Sequence, residues 1–312
     1  MALAALSGYD LDIARCVRVG EASNLIYRVT TGSGDQFALR LARPGWRRRS
    51  DLEAEAIWLD ALARDTDLLV PRIIRARTGE AVIDFGTTQP HYATLMTWLP
   101  GTLLGKTLTE PNLVKMGDLF ARLHLHAAAW TTPAEFPAGR FTGWLSRDEP
   151  NLLFSAEVAG DFTPEARAVI TRVRDEVDAA YAALDPADLR VIHCDLWHAN
   201  IKLHRGQLAA FDFEDTILGY RLHDIAMALL DLLETVGNVR YASLVAAFRR
   251  GYCALLPWPD GDLNALQMGR FLWKLNWVAR FDRQHLPGFI THAAGLFEHA
   301  RAHGEMPFAG EA

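Results

Sequence analysis

Apolar and polar residues alternate in three early stretches, residues 16–20 (CVRVG), 25–31 (LIYRVTT) and 36–42 (QFALRLA). A period of two sends successive side chains to opposite faces, so each stretch predicts a β-strand. The run TGSGD at 31–35 predicts a hairpin turn between the last two. Ser50, with Glu53 three residues later, reads as a capping box that opens a helix from Asp51 to Arg64. Further strands are predicted near 70–76, 80–85 and 92–98. The first hundred residues thus predict a small antiparallel sheet with one helix.

Leu99-Pro100-Gly101 breaks this pattern, and the sequence then turns helical. Thr109 can cap a helix running to Ala128, because Leu113, Met116, Phe120, Leu123 and Ala127 follow helical spacing. A second helix is predicted at 164–184, a strand-rich island at 190–213, and three or more helices over 222–302. The expected fold is α+β in two parts, residues 1–98 and 99–312.

Composition narrows the function classes. Half of the 312 residues are hydrophobic, enough for a sizeable core. With 32 Lys and Arg against 38 Asp and Glu, the net charge of −6 argues against non-specific binding to nucleic acid. Cys16, Cys194 and Cys253 are odd in number and far apart, which fits a reducing cytoplasm rather than a disulfide framework. No apolar run reaches the roughly 18–20 residues of a membrane span, and no basic segment precedes the short apolar start. The expectation is a cytoplasmic protein with no membrane or nucleic-acid partner.

The candidate chemistry sits in HCDLWHANI at 193–201 and LAAFDFED at 208–215. A short strand, Leu189–Ile192, delivers His193 and Asp195. Asn200 follows five residues after Asp195. Two more strands, Ile201–His204 and Leu208–Phe211, form a hairpin that ends at Asp212. One aspartate beside a turn is usually a turn residue; three oxygen-bearing side chains on strand, loop and hairpin are more specific. Phosphoryl transfer needs such a set, because hard cations that bridge phosphates prefer oxygen ligands and a carboxylate must face the attacking hydroxyl. His193, Cys194, His198 and His204 match no zinc spacing.

The pattern H-x-D-x-x-x-x-N followed by a hairpin Asp resembles the catalytic and metal loops of the aminoglycoside phosphotransferase and choline kinase superfamily. Type II homoserine kinases and a bacterial stress-response Ser/Thr kinase are relatives. The resemblance implies a protein-kinase-like, two-lobed fold, with a small sheet lobe and a larger helical one. It also implies ATP as co-substrate and Mg2+ as cofactor. Asp195 would be the catalytic aspartate, Asn200 and Asp212 the metal ligands, and His193 a brace for the loop. Asp224, in GYRLHDIAMAL at 219–229, would fasten the loop to the helix it opens. QFALRLARPGWR at 36–47 and EAIWLDAL at 55–62 are similar to the family's third strand and its helix. Arg40 would hold phosphates and pair with Glu55. Gly20, Ser23 and Asn24 would form the loop over the phosphates. Leu95–Leu99, with Met96 and Trp98, would be the hinge beside adenine.

The chain departs from eukaryotic protein kinases in several places. The phosphate loop has a single glycine, the strand cation is Arg rather than Lys, and Asp212 is followed by Phe213-Glu214. No Ala-Pro-Glu motif follows. Arg47-Arg48-Arg49 reads as a solvated start to a helix. Asp231 and Glu234 are either a solvated acidic stripe or a wall for a cationic acceptor group. Trp273 and Trp277 are either core or pocket wall. The resulting expectation is a phosphotransferase acting on a hydroxyl of a small molecule, such as an amino alcohol, a sugar or an aminoglycoside-like compound. A stress-response-type protein kinase and a nucleotide-binding pseudokinase are the alternatives. The oligomeric state stays open at this level.

Overall fold

The computed structural model describes residues 1–304 and Met306, except Ala22 and Thr87. Its elements, in chain order, are α1 (Ala2–Leu6), β1 (Ile13–Glu21), β2 (Asn24–Thr31), β3 (Gln36–Ala42), α2 (Arg49–Asp65), β4 (Ile73–Ile74), β5 (Val82–Asp84), β6 (Tyr92–Thr97) and β7 (Thr102–Leu103). These are followed by α3 (Glu110–Ala129), β8 (Arg140–Phe141), α4 (Pro164–Ala182), β9 (Leu189–Ile192), β10 (Ile201–His204), β11 (Gln207–Ala210) and β12 (Ile217–Tyr220). Three long helices close the chain: α5 (Arg221–Cys253), α6 (Leu263–Phe281) and α7 (Leu286–His303). No helix among the described residues is long and apolar enough to cross a membrane.

Contacts group the chain into two compact units. The first holds Met1–Leu103, Trp130–Ala138 and Asn200–Thr216; the second holds Leu104–Ala129, Gly139–Ala199 and the chain from Ile217 onward. In the first unit β1, β2, β3, β6 and β4 lie in that order, with β5 also on β6. All these pairings are antiparallel. The alternation read from the sequence buries one face on Val29, Leu39, Leu41, Ala93 and Leu95, closed by Leu6 and Tyr9 from the N-terminal segment. A separate small sheet, β11-β10-β7, belongs to the same unit.

Helix α2 begins two residues earlier than the pattern predicts. Its capping box uses Arg48 and Asp51, not Ser50 and Glu53: the Arg48 N–H donates to Asp51 Oδ2 at 2.9 Å. Glu53 instead pairs with Arg49 at 2.7 Å. The expected strands near 70–76 and 80–85 shrink to two and three residues.

The second unit is mainly helical around a three-stranded sheet, β8-β12-β9. Its core gathers Ile170, Val173, Val177, Leu230, Leu266, Leu272 and Phe297 from α4, α5, α6 and α7. α5 is two helices joined at Gly237, whose φ of 68° suits only glycine well. α3 and α5 approach so closely that glycine is required on both. A Cβ on Gly117 would collide with the Phe248 carbonyl, and one on Gly251 with the Val114 carbonyl. Backbone cannot step aside as a side-chain tip can. Gly251→Ala is therefore expected to cost at least the ~1–3 kcal/mol of ordinary overpacking, read as a lowered urea midpoint.

Candidate active site

In the first unit the site grows from β3. Its register sets Arg40 between Ile26 of β2 and Thr94 of β6. The Arg40 side chain is only 3% exposed, and its guanidinium pairs with the buried Glu55 of α2. The same guanidinium lies 3.4 Å from Asp212 Oδ1 and 3.6 Å from Glu214 Oε2. One cation thus meets three carboxylates, so the cluster carries excess negative charge.

The β10–β11 hairpin explains why Asn200 and Asp212 come together. Ile201 pairs with Ala210, and just beyond that rung the Phe211 N–H donates to the Asn200 carbonyl at 3.0 Å. Asp212 follows in a left-handed conformation, φ 65°. That backbone state is uncommon for a residue with a Cβ and tolerable for Asp or Asn. Phe213 is buried edge-on against Trp58 of α2, with ring centroids 5.5 Å apart, which anchors the turn. Lost hydration and the nearby Glu214 push the Asp212 carboxyl up to about 7, against the pull of Arg40. The 40% of its side-chain surface that stays open lets solvent and cations screen it.

A cavity of about 340 Å³ opens beside this cluster. Its apolar lining includes Ile26, Ala38, Met96, Leu103 and Phe211; Arg40, Asp212 and Lys202 supply charge. Trp98 also lines it, with the Lys202 ammonium 4.3 Å from its ring centroid and the Arg28 guanidinium at 5.6 Å. Lys202 Nζ donates to the Leu99 carbonyl at 2.7 Å. The size and the few convergent polar groups are those of a small-molecule pocket.

Glu214 is the residue that sequence reasoning left without a role. Asn24 donates to its Oε2, the Trp46 indole N–H to its Oε1 at 3.1 Å, and Ser23 Oγ approaches at 3.5 Å. It therefore ties the segment after β1 to the turn that carries Asp212. Gly20 stands on β1 opposite Ile26, beside a register shift. Arg47, expected in solvent, is 7% exposed and pairs with Asp215. The available signal was the acidic pair two and three residues after Asp212, which needed basic or amide partners.

In the second unit, β9 delivers His193, which is buried and accepts the Asp195 N–H at Nδ1, 3.3 Å away. Cys194 adopts φ 69°, and its N–H donates to Asp224 Oδ1 at 2.7 Å. The other oxygen of Asp224 meets His124 Nε2 at 3.0 Å, and His124 Nδ1 meets the Tyr252 hydroxyl at 3.0 Å. Burial alone would raise the Asp224 carboxyl. The His124 hydrogen bond, the charges nearby and the Cys194 N–H outweigh it, so the carboxyl titrates below its ordinary value. His124 was not singled out from the sequence, because it sits in an apolar helix stripe. Asp195 is 27% exposed, with Arg270 Nη2 at 3.5 Å. Glu234 pairs with Lys274 at 3.1 Å, the Trp273 indole N–H donates to Glu149 at 2.8 Å, and Trp277 is 37% exposed. Burial raises the Asp231 carboxyl.

Beneath the loop, His223 contacts the Tyr181 hydroxyl and lies 3.7 Å from Cys194 Sγ. Burial pushes its imidazole down to about 3, against the pull of Asp224. An unfolded imidazole titrates near ~6.5, so between about pH 3 and that value the unfolded chain binds the extra proton. The contribution of this group to stability should therefore rise with pH across this window, by up to ~1.4 kcal/mol per unit, and level off above it. In urea unfolding, the stability of wild type relative to His223→Gln should increase from pH 5 to pH 7.

Residues 16–262 match the sequence model of the phosphotransferase enzyme family. The chain belongs to that family, and it is an enzyme, a phosphotransferase with an alcohol group as acceptor. Among curated relatives it is similar to a homoserine kinase of Gluconobacter oxydans (strain 621H), 26% identical over 252 residues, covering 79% of this chain and 74% of that protein. Among solved structures, a microcompartment-associated aminopropanol kinase matches with a TM-score of 0.77 at 22% identity, covering 98% of both chains. The amicoumacin kinase hAmiN, in complex with AMP-PNP, Ca2+ and Ami, also matches at 0.77, with 17% identity, 94% of this chain and 92% of that chain. These likenesses show the α+β, protein-kinase-like fold.

Proposed function

We propose that this enzyme moves the γ-phosphoryl group of ATP, with Mg2+, to a hydroxyl of a small molecule. The observation that carries the reading is the buried Arg40–Glu55 pair with Asp212 3.4 Å from the guanidinium, beside an apolar cavity. A purine fits against Met96 and Trp98, and Arg40 is placed for phosphate oxygens. Ser23 and Asn24 belong to the segment that would cover the phosphates. In this reading residues 1–98 form the nucleotide lobe and residues 99–312 the catalytic and acceptor lobe. Asp195 belongs to the second unit.

Asp212 and Asn200 would hold the metal. Their hard oxygen donors fit Mg2+, which is bound through one or two carboxylates plus substrate phosphates rather than by a full protein cage. The excess negative charge of Asp212, Glu214 and Glu55 over Arg40 also suits a divalent cation. When bound, the metal supplies charge neutralisation on the phosphates. Asp195 orients the acceptor hydroxyl and takes its proton. His193 and the Asp224–His124 pair hold the loop so that this carboxylate does not reorganise during transfer. An ATP-consuming kinase of this kind fits the cytoplasm.

The test is ADP release from ATP with magnesium across amino alcohols, hydroxy amino acids, sugars, aminoglycosides and a generic protein, with Asp195→Ala as the blank. Stimulation by one small-molecule class, absent from the blank, is expected. Stimulation by the protein alone would replace the small-molecule reading.

A further inference from the structure

Lys202 is a half-buried cation with no carboxylate partner among the described residues. It stands on β10, paired with Leu103 of β7 on one side and Ala209 of β11 on the other. Its ammonium donates to the Leu99 carbonyl at 2.7 Å. The same group lies 4.3 Å from the centroid of the Trp98 ring and 5.4 Å from that of Phe211. Arg40 and Asp212, the other charged residues lining the cavity, belong to the cluster with Glu55. Lys202 instead sits against Trp98 and Leu99, the segment set against the base. All of these residues belong to the first unit.

We propose that Lys202 reads the base of the nucleotide and makes a 6-oxopurine triphosphate, GTP or ITP, a phosphoryl donor beside ATP. The inference rests on the phosphotransfer reading, in which this cavity takes the base.

An ammonium has three donors and no acceptor. One N–H is committed to Leu99, and the others are left for a ligand in the cavity. Guanine and hypoxanthine present two adjacent acceptors, O6 and N7, the pair that lysine meets when it recognises guanine. Adenine presents N7 beside an amino group, whose hydrogens face an ammonium unfavourably. N7 still accepts, so ATP stays a substrate. The Leu99 carbonyl is the kind of acceptor that an adenine amino group needs, yet Lys202 already donates to it. An oxo group on the same carbon needs a donor instead, and Lys202 supplies one.

Burial sharpens the difference. The faces of Trp98 and Phe211 attract a cation but do not replace the oxygen acceptors of water. A base that fills the cavity displaces solvent from the ammonium. O6 compensates that loss, and an amino group does not. Arg28, with its guanidinium 5.6 Å from the Trp98 centroid, adds positive charge beside the same ring and favours an electronegative atom there.

The test compares ATP with ITP, whose bases differ only in the group on carbon 6 and the N1 proton that goes with it. GTP is the second 6-oxopurine. The full-length protein is set against Lys202→Met, which removes the charge, and Lys202→Arg, which keeps donors. With magnesium and the best acceptor of the panel, wild type should use ITP within ~10-fold of ATP in kcat/KM. In Lys202→Met the ratio of ITP to ATP use should fall ~10–100-fold, mainly through KM, the scale of losing a charged donor to a base edge. Lys202→Arg should fall between. A lysine that only braces the Leu99 carbonyl predicts equal losses with both nucleotides, and so an unchanged ratio.

Calorimetry with IDP and ADP needs neither turnover nor acceptor. IDP should bind wild type within ~10-fold of ADP, and Lys202→Met should weaken IDP ~10–100-fold more than ADP. A preference of wild type for ATP beyond ~10-fold, or an ITP-to-ATP ratio unchanged in Lys202→Met, would overturn the inference. Failure of the underlying reading looks different: neither diphosphate would bind wild type at all.

Discussion

Asp195→Ala and Asp212→Asn are each expected to lower kcat by at least about 1,000-fold while leaving the fold intact, the scale of losing a preorganised transition-state group worth ~3–4 kcal/mol. In the proposed function the two substitutions act on different parts of the chemistry. Asp195 is the partly exposed carboxylate of the loop, 27% exposed and 3.5 Å from Arg270 Nη2. Asp212 lines the cavity proposed to take the nucleotide. Asn is the better probe at this position, because it tolerates the left-handed backbone of φ 65°. It also removes a charge that native surroundings disfavour.

The sign of that last effect can be worked out. The Asp212 carboxyl is pushed up to about 7, above the ordinary carboxylate range. Between that range and about 7 the native protein holds a proton that the unfolded chain releases. Without metal, the contribution of Asp212 to stability therefore falls as pH rises through this window, opposite in sign to that of His223, and Asp212→Asn should remove it. The variant should be no less stable than wild type at pH 8 and nearly inactive. Loss of activity accompanied by gross unfolding would contradict the assignment of Asp212 to function rather than folding.

Arg40→Met is expected to have the largest effect on stability, about 5 kcal/mol, the upper end for breaking a buried ion pair. The reason is an asymmetry in the cluster. Glu55, Glu214 and Asp212 share Arg40 as their cation. Removing it leaves a fully buried Glu55 with no counter-charge and two more carboxylates close by. Glu55→Ala should cost less, about 3 kcal/mol, because the guanidinium keeps Glu214 and Asp212 within reach. Urea unfolding of both variants checks the order. An equal cost would mean that the cluster acts as a simple pair.

Much of this architecture could be read from the chain. The alternation over 25–31 and 36–42 placed Arg40 on a strand, and the next helix carried Glu55 one turn inside its start. The His193-to-Asp212 spacing marked a strand, a loop and a hairpin, because each has a local pattern. What escaped was non-local. Asn24 and Glu214 are 190 residues apart in sequence, and Arg40 and Asp212 are 172 apart. No period links such positions; long-range contacts such as the pairing of β10 with β7, the bridge between Leu69 and Ala209 and the packing of Phe213 on Trp58 do so. Arg270 escaped for the same reason, lying amid the aromatic residues of α6. The helix start was misjudged because Ser50-x-x-Glu53 and Arg48-x-x-Asp51 compete within one turn, and the Asp51 carboxylate won the N-terminal amide.

The central claim is transfer to a carbon-bound hydroxyl by Asp195, and ³¹P NMR of the reaction mixture tests it most directly. With ATP, magnesium and the best acceptor of the panel, wild type should lose the γ-phosphate signal and gain one phosphomonoester signal in equal amount. Asp195→Ala should leave the ATP signals unchanged. Inorganic phosphate as the sole product in wild type, or a phosphomonoester formed equally fast by Asp195→Ala, would contradict the account.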